Sequence, residues 1–264
     1  MNLFTSLLAS RWLRAALTWV VLVGMMAGLS SCRLSQQTAP ADGDLEAQVL
    51  QIIRDNPEVL IESVQTYQEE KQERLKQASQ DLTTQMQSNP QAVIGSSPVT
   101  GSPDKKLVLI EFSDFQCPYC ARAYQTVKEF MKKHGQEVTL VYKHLPLTNI
   151  HPQAMSAAQA AWAANQQGQF WPFHDALFEN QSRLSEEYYQ ELAGQLGLDL
   201  NRFNKDRQSK QAQAAIEQDM QMAENLGIGG TPYFILNGLA FSGAQPLQNF
   251  EQALDKAKQG SPTP

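Results

Sequence analysis

Cys117 and Cys120 sit two residues apart, with Pro118 and Tyr119 between them. The spacing suits dithiol chemistry, in which one sulfur attacks or is attacked and the other resolves the mixed disulfide. The residues around the pair make the two sulfurs unequal. Before them runs Leu107-Val108-Leu109-Ile110-Glu111-Phe112, a mostly apolar stretch of the kind a strand buried on both faces shows. After them Ala121 to Phe130 reads as a helix, and Pro118 occupies the favoured first helical position, which puts Cys117 at or next to the N-cap. Unpaired backbone N–H groups and the positive end of the helix dipole favour a thiolate there. A free cysteine titrates at about 8.5, and each unit of depression is worth about 1.4 kcal/mol of preference for the anion. Cys120, one turn in, is expected to be the more buried partner.

Two plainer readings compete. A zinc site needs two further ligands, but the chain offers only Cys32 besides the pair, and His134, His144, His151 and His174 show no paired spacing. A purely structural disulfide across so short a loop would restrict the unfolded chain little. Redox exchange is the reading preferred over both.

The elements that must position the pair follow along the chain. Val138 to Lys143 reads as a second strand, joined to the first through the helix in a right-handed crossover. From Pro152 to about Leu226 the pattern is helical. Pro152 to Asn165 is alanine-rich, Phe170 to Phe178 is aromatic, and Ser185 to Leu196 and Gln211 to Leu226 are amphipathic, with Gly194, Gly197 and Gly227 as punctuation. Trp162, Phe170, Trp171, Phe173 and Phe178 read as core. Tyr233 to Asn237 and Leu239 to Ser242 form a hairpin turning at Asn237-Gly238, and Leu247 to Lys258 closes as a helix. A chain of 264 residues with net charge −6 has ample length for a core and presents no basic patch for nucleic acid. Neither a phosphate loop nor a nucleotide motif is present, so no organic cofactor is expected, and no metal.

The run Glu111-Phe112-Ser113-Asp114-Phe115-Gln116-Cys117-Pro118-Tyr119-Cys120, with Gly229-Gly230-Thr231-Pro232-Tyr233-Phe234 further on, resembles the DsbA-like branch of the thioredoxin superfamily over about residues 98 to 258. The resemblance implies an α/β thioredoxin fold with an inserted helical subdomain, preceded here by an N-terminal helical segment. It implies an extracytoplasmic thiol-disulfide oxidoreductase with Cys117 and Cys120 as the redox pair. Glu111, six residues before Cys117, would be the buried acid that shuttles the proton of Cys120, with a surface carboxylate at the strand end as the alternative. Pro232 would be cis and face the pair, and Thr231, Pro232, Pro118 and Tyr119 would meet the substrate. The Pro-Tyr dipeptide and Thr231 fit isomerase and reductase relatives as well as oxidases. Oxidase is the leading expectation, with isomerase or reductase next and a non-redox binding or holdase lipoprotein as a third. The implied partners are exported cysteine-containing proteins and a membrane redox protein, either a quinone-linked reoxidant or a reductant.

The N-terminus sets the compartment. Arg11 and Arg14 precede the apolar run Ala15 to Leu29, which ends in Leu29-Ser30-Ser31-Cys32. This reads as an export signal over 1–31, and its end resembles a bacterial lipobox in which Cys32 is lipidated. An uncleaved anchor is the alternative. Either way the body is expected on the periplasmic or cell-surface side of a bacterial membrane, where disulfides persist. Residues 32–43 read as a tether. Residues 44–88 read as two helices broken at Asn56-Pro57, with Leu45, Val49, Ile52, Ile53, Leu60, Val64 and Tyr67 as an irregular apolar stripe that either makes a homo-oligomer or is a solvated spacer. A Ser-, Pro- and Gly-rich linker is expected over 89–103, the catalytic domain over 104–258 with its insert at about 152–226, and a tail over 259–264.

Overall fold

A computed structural model describes residues 42–260. The expected signal segment, Cys32 and nearly all of the tether lie outside the described residues, as does the end of the tail. The chain divides into two compact units between Gln65 and Thr66.

The first unit holds α1 (Asp42–Asp55) and the opening turns of α2 (Pro57–Ser88). The break falls at Asn56, whose side chain donates back to the Ile52 carbonyl, and Pro57 starts the next helix. Leu45, Val49, Ile52, Ile53, Leu60 and Val64 are all exposed. No helix among the described residues is long and apolar enough to cross a membrane.

The second unit is built on a five-stranded sheet ordered β1-β3-β2-β4-β5, made of β1 (Val99–Gly101), β2 (Leu107–Ser113), β3 (Val138–His144), β4 (Tyr233–Leu236) and β5 (Leu239–Ser242). Strands β2 and β3 are parallel, as a crossover through α4 (Pro118–His134) requires, and the other pairings are antiparallel. The β4–β5 turn puts Asn237 and Gly238 at φ +47° and +94°, the positive-φ pair that a two-residue hairpin needs. Asn237 also fastens the turn to β2, accepting from the Val108 N–H at 2.7 Å and donating to the Lys106 carbonyl.

Strand alternation sorts the core. Leu109, Leu140, Phe234 and Leu236 pack with Phe130 of α4 and Phe250 and Leu254 of α10 (Leu247–Lys258). Val108, Ile110, Phe112 and Val141 face the opposite way, against Ala223 of α9 (Lys210–Asn225). The helices α5 (Ala154–Asn165), α6 (Phe170–Glu179), α7 (Glu186–Gln195) and α8 (Leu200–Arg207) make a third cluster that closes over the cysteine pair. Ser185, Asp199 and Ser209 cap α7, α8 and α9 by accepting from a backbone N–H three residues on. The expected aromatic core is only partly closed: Phe170, Phe173 and Phe178 are buried, while Trp162 and Trp171 keep some exposure. Helix α8 lies within the stretch read as helical but is not singled out there, because Leu-Asn-Arg-Phe-Asn-Lys-Asp-Arg shows no apolar face; Phe203 and Arg207 are its buried residues.

The expected linker over 89–103 is corrected by the structure. It contains α3 (Pro90–Ile94) and the edge strand β1, which pairs with β3 from Val99↔Val141 to Gly101↔Thr139. Val93 and Ile94 are buried, and they share a core cluster with Leu82 and Met86 at the end of α2. The Ser/Pro/Gly composition that suggested a free spacer instead serves short elements and tight turns. Gly101, at φ +91°, lies so close to the Val138 carbonyl that any β-carbon would meet it.

Candidate active site

Cys117 is the N-cap of α4, in extended conformation (φ −71°, ψ 122°), and Pro118 is the first helical residue. Both cysteines are buried free thiols, Cys117 at 3 % exposure and Cys120 at 0 %. Their ionisation is driven apart. The Cys120 thiol donating to Cys117 is the largest influence and the backbone N–H groups of Cys120 and Tyr119 add to it; together they outweigh burial and bring Cys117 down to about 5. Cys120 is pushed well above the usual thiol range, first by burial and then by the neighbouring Cys117. The thiolate therefore resides on Cys117.

The peptide bond between Thr231 and Pro232 is cis. The Cys117 thiol donates to the Thr231 carbonyl across 3.5 Å, so two segments 114 residues apart meet at the reactive sulfur. Thr231 Oγ is buried without a well-formed hydrogen bond among the described residues, yet its hydroxyl favours the Cys117 thiolate, less than the Cys120 thiol does. Tyr119 is half exposed beside the pair, its ring covered by the Arg122 guanidinium at 4.4 Å.

Glu111 is a buried acid, at 1 % exposure, and not a surface carboxylate at the strand end. Burial lifts it to about 7, with the Ser113 hydroxyl pulling the other way. The same hydroxyl tempers the upward shift of Cys120. The register places Glu111 beside Tyr142 and Ser113 beside His144 on parallel strands, all on one face. Glu111 Oε1, Ser113 Oγ, the Tyr142 hydroxyl and both His144 ring nitrogens are buried without a well-formed hydrogen bond among the described residues. His144 is held down to about 3, mainly by burial, so this polar cluster carries no cation at neutral pH.

Two contributors escape a reading of the motif alone. Asp114 ties the cysteine loop to the loop after β3: Oδ1 accepts from the Gln116 N–H at 2.8 Å, and Oδ2 accepts from the Leu147 N–H at 3.0 Å and faces His151 Nδ1 at 2.7 Å. Its signal is an Asp two residues before the N–H it accepts from, an Asx-turn spacing. Gln181, in a 3₁₀ turn of the inserted helices, donates to the carbonyls of Phe115 and Cys117. Nothing in its local sequence marks it. Among the described residues no cluster of His, Cys, Asp and Glu is arranged to hold a metal ion.

A mixed sheet flanked by helices, a dithiol at a helix N-terminus and a cis-proline against it define a thioredoxin-type redox protein. Residues 94–256 match the thioredoxin family, and the chain belongs to it. Among solved structures it is similar to a thioredoxin-like oxidoreductase from Silicibacter pomeroyi DSS-3, with 31 % identity and a TM-score of 0.60 over 66 % of this chain and 100 % of that one. The fold is also that of the thiol-disulfide exchange protein alpha-DsbA2 from Wolbachia pipientis, at 19 % identity and a TM-score of 0.59 over 69 % and 97 % of the two chains. Among curated proteins it is 36 % identical over 159 residues to the Na(+)/H(+) antiporter NhaA 3 of Salinispora tropica, a match covering 60 % of this chain and 24 % of the antiporter. The chain thus spans about a quarter of the length of the curated relatives it matches.

Proposed function

We propose that the protein is an extracytoplasmic thiol-disulfide oxidoreductase that introduces disulfides into exported proteins through Cys117 and Cys120. The opposed ionisation of the two sulfurs carries the reading: a thiolate-favouring Cys117 at a helix N-terminus and a Cys120 held protonated one turn in. In the oxidised protein a substrate thiolate attacks Cys117 Sγ. The Cys117–Cys120 bond breaks, and Cys120 departs with the electron pair and takes a proton, for which Glu111 is the buried source. A second substrate thiolate then attacks the substrate sulfur of the mixed disulfide and displaces Cys117 as its stabilised thiolate. The substrate gains one disulfide, and the protein is left as the dithiol. Thr231 and Pro232 hold the substrate strand beside the pair, with Pro118 and Tyr119 on its other side.

A quinone-linked membrane protein would restore the disulfide in an oxidase; a reductant would keep the dithiol in an isomerase or reductase. Lipidation of Cys32 would anchor the chain to its membrane. The exposed Ile52, Ile53, Leu60 and Val64 support homo-oligomer formation through residues 44–88.

The deciding measurement is the equilibrium reduction potential of the pair against glutathione buffers, with Cys32 replaced by Ser. A strongly oxidising value supports the oxidase, and a strongly reducing one transfers the site to a reductase or isomerase. Turnover that survives Cys117→Ser removes the redox reading, and activity that survives loss of both cysteines leaves a holdase.

A further inference from the structure

Between the middle of α2 and the loop that leads into the Thr231-Pro232 bond lies a groove of about 470 Å³. Tyr67, Lys71, Arg74 and Leu75 form one wall; Glu224, Asn225 and the backbone from Gly227 to Gly229 form the other. Leu75 pins the two together: a β-carbon on Gly227, itself at φ +69°, would sit 3.0 Å from Leu75 Cδ2. The groove ends at Gly229, two residues from the Thr231 carbonyl that lies 3.5 Å from Cys117 Sγ. Its walls bring Lys71 and Arg74 against a single carboxylate, Glu224, which already accepts from Gln221 at 3.1 Å. Arg74 also lies 3.8 Å from Glu70, both well exposed, a weak surface pair.

We propose that this groove extends the substrate site, and that α2 thereby selects extended polypeptides carrying acidic residues near the reactive cysteine. The proposal rests on the thiol-disulfide exchange assigned to Cys117 above. A strand engaged beside Thr231 continues past Gly229 in one direction, and at about 3.3–3.6 Å per residue it reaches Lys71 and Arg74 some three to five residues from its cysteine. The preference is local and runs against the whole molecule. A chain of net charge −6 repels an acidic peptide at long range, so without the groove such a peptide reacts more slowly than its neutral counterpart.

The test reads the rate at which synthetic peptides reduce the oxidised full-length protein. Each peptide carries one cysteine and either three glutamates or three glutamines placed three to five residues to one side of it, with both sides made. The expected result at low ionic strength is a glutamate peptide faster than its glutamine twin, by about five-fold or more, on one of the two sides, with the preference vanishing at high salt as the Debye length shrinks. Lys71→Glu/Arg74→Glu reverses it, and the milder Lys71→Gln/Arg74→Gln abolishes it. The charge-matched Lys210→Glu/Lys256→Glu, outside the groove, retains it. Glutamine peptides as fast as or faster than glutamate peptides on both sides overturn the proposal, as does a preference that persists in Lys71→Glu/Arg74→Glu. In those cases brisk reaction of the glutamine peptides leaves the exchange activity itself standing; no reaction with any peptide removes both.

Discussion

The thiol of Cys117 donates to the carbonyl oxygen of Thr231 across 3.5 Å. The contact belongs to the protonated sulfur only, since a thiolate has no proton to offer and meets the oxygen with like charge. With Cys117 held down to about 5, the neutral-pH protein gives this contact up. In the proposed exchange, the Thr231 backbone is then left beside the reactive sulfur for a substrate strand to pair with.

Thiolate formation, followed by absorbance near 240 nm or by the pH dependence of alkylation, is expected to show a midpoint near 5 for Cys117. Cys120→Ala removes the largest stabilising donor and raises the midpoint. Thr231→Val removes a lesser one and raises it less. In both variants the backbone N–H groups of Tyr119 and Cys120 keep it below the ordinary thiol value. A native midpoint above 8 would sink the account of the nucleophile.

Glu111 and Cys117 pull the stability of the reduced protein in opposite directions. The raised carboxyl binds a proton that the unfolded chain has lost, so between about 4.5 and 7 it lowers stability as pH rises. The depressed thiol does the reverse: its contribution is full above the unfolded value near 9 and is lost as pH falls through about 5. From pH 5 to 7 the two cancel, and from 7 to 9 the reduced protein gains about 1.4 kcal/mol per pH unit. The oxidised protein lacks the thiol, and there the loss from Glu111 between 4.5 and 7 is opposed up to about 6.5 by the depressed His144. Glu111→Gln should therefore make the stability of both forms rise more steeply with pH between about 4.5 and 7 than in the parent protein. Urea melts of both forms across pH 4 to 9 check this. Identical profiles with and without Glu111 would exclude its titration.

Elements with a strong period were legible. Strands β2 and β3, the hairpin and α10 fall where alternation and turn chemistry place them, and the break at Asn56-Pro57 is where capping demands it. Edge strand β1 was not legible, because three exposed residues, Val-Thr-Gly, carry no alternation. Pairing with β3, and the Trp171 indole donating to the Val99 carbonyl at 2.8 Å, hold it. In the site, Glu111 stood out through its place in the motif, but only the tertiary fold reveals Tyr142 beside it. A tyrosine in an apolar strand reads as packing until the neighbouring strand sets its register.

The end of α2 should behave as core and not as spacer. Leu82 and Met86 are 7 % and 1 % exposed, packed with Val93, Ile94 and Ile110. Truncation of a buried Leu or Met costs about 2–5 kcal/mol where the gap cannot close. Leu82→Ala and Met86→Ala are each expected to lower the denaturation midpoint of the whole second unit. A loss confined to the helix, with the remainder of the unit melting as before, would restore the spacer reading.

The ion pair of Lys143 and Asp219 is expected to place the end of β3 without being a net source of stability. Asp219 Oδ1 lies 3.1 Å from Lys143 Nζ, both side chains are under a tenth exposed, and Oδ2 accepts from the His144 N–H at 2.9 Å. Lys143 donates onward to the Ile94 carbonyl. Burial lifts the carboxyl more than the ammonium lowers it, so desolvation outweighs attraction. Asp219→Asn, which strands a buried cation, should cost about 3–5 kcal/mol, whereas Lys143→Met/Asp219→Leu should recover most of that loss. Because His144 lies beside Ser113 on β2, the double variant should also slow thiol exchange despite its recovered stability. A double variant no more stable than Asp219→Asn alone would show that the pair contributes net attraction, and unchanged exchange would detach it from the site.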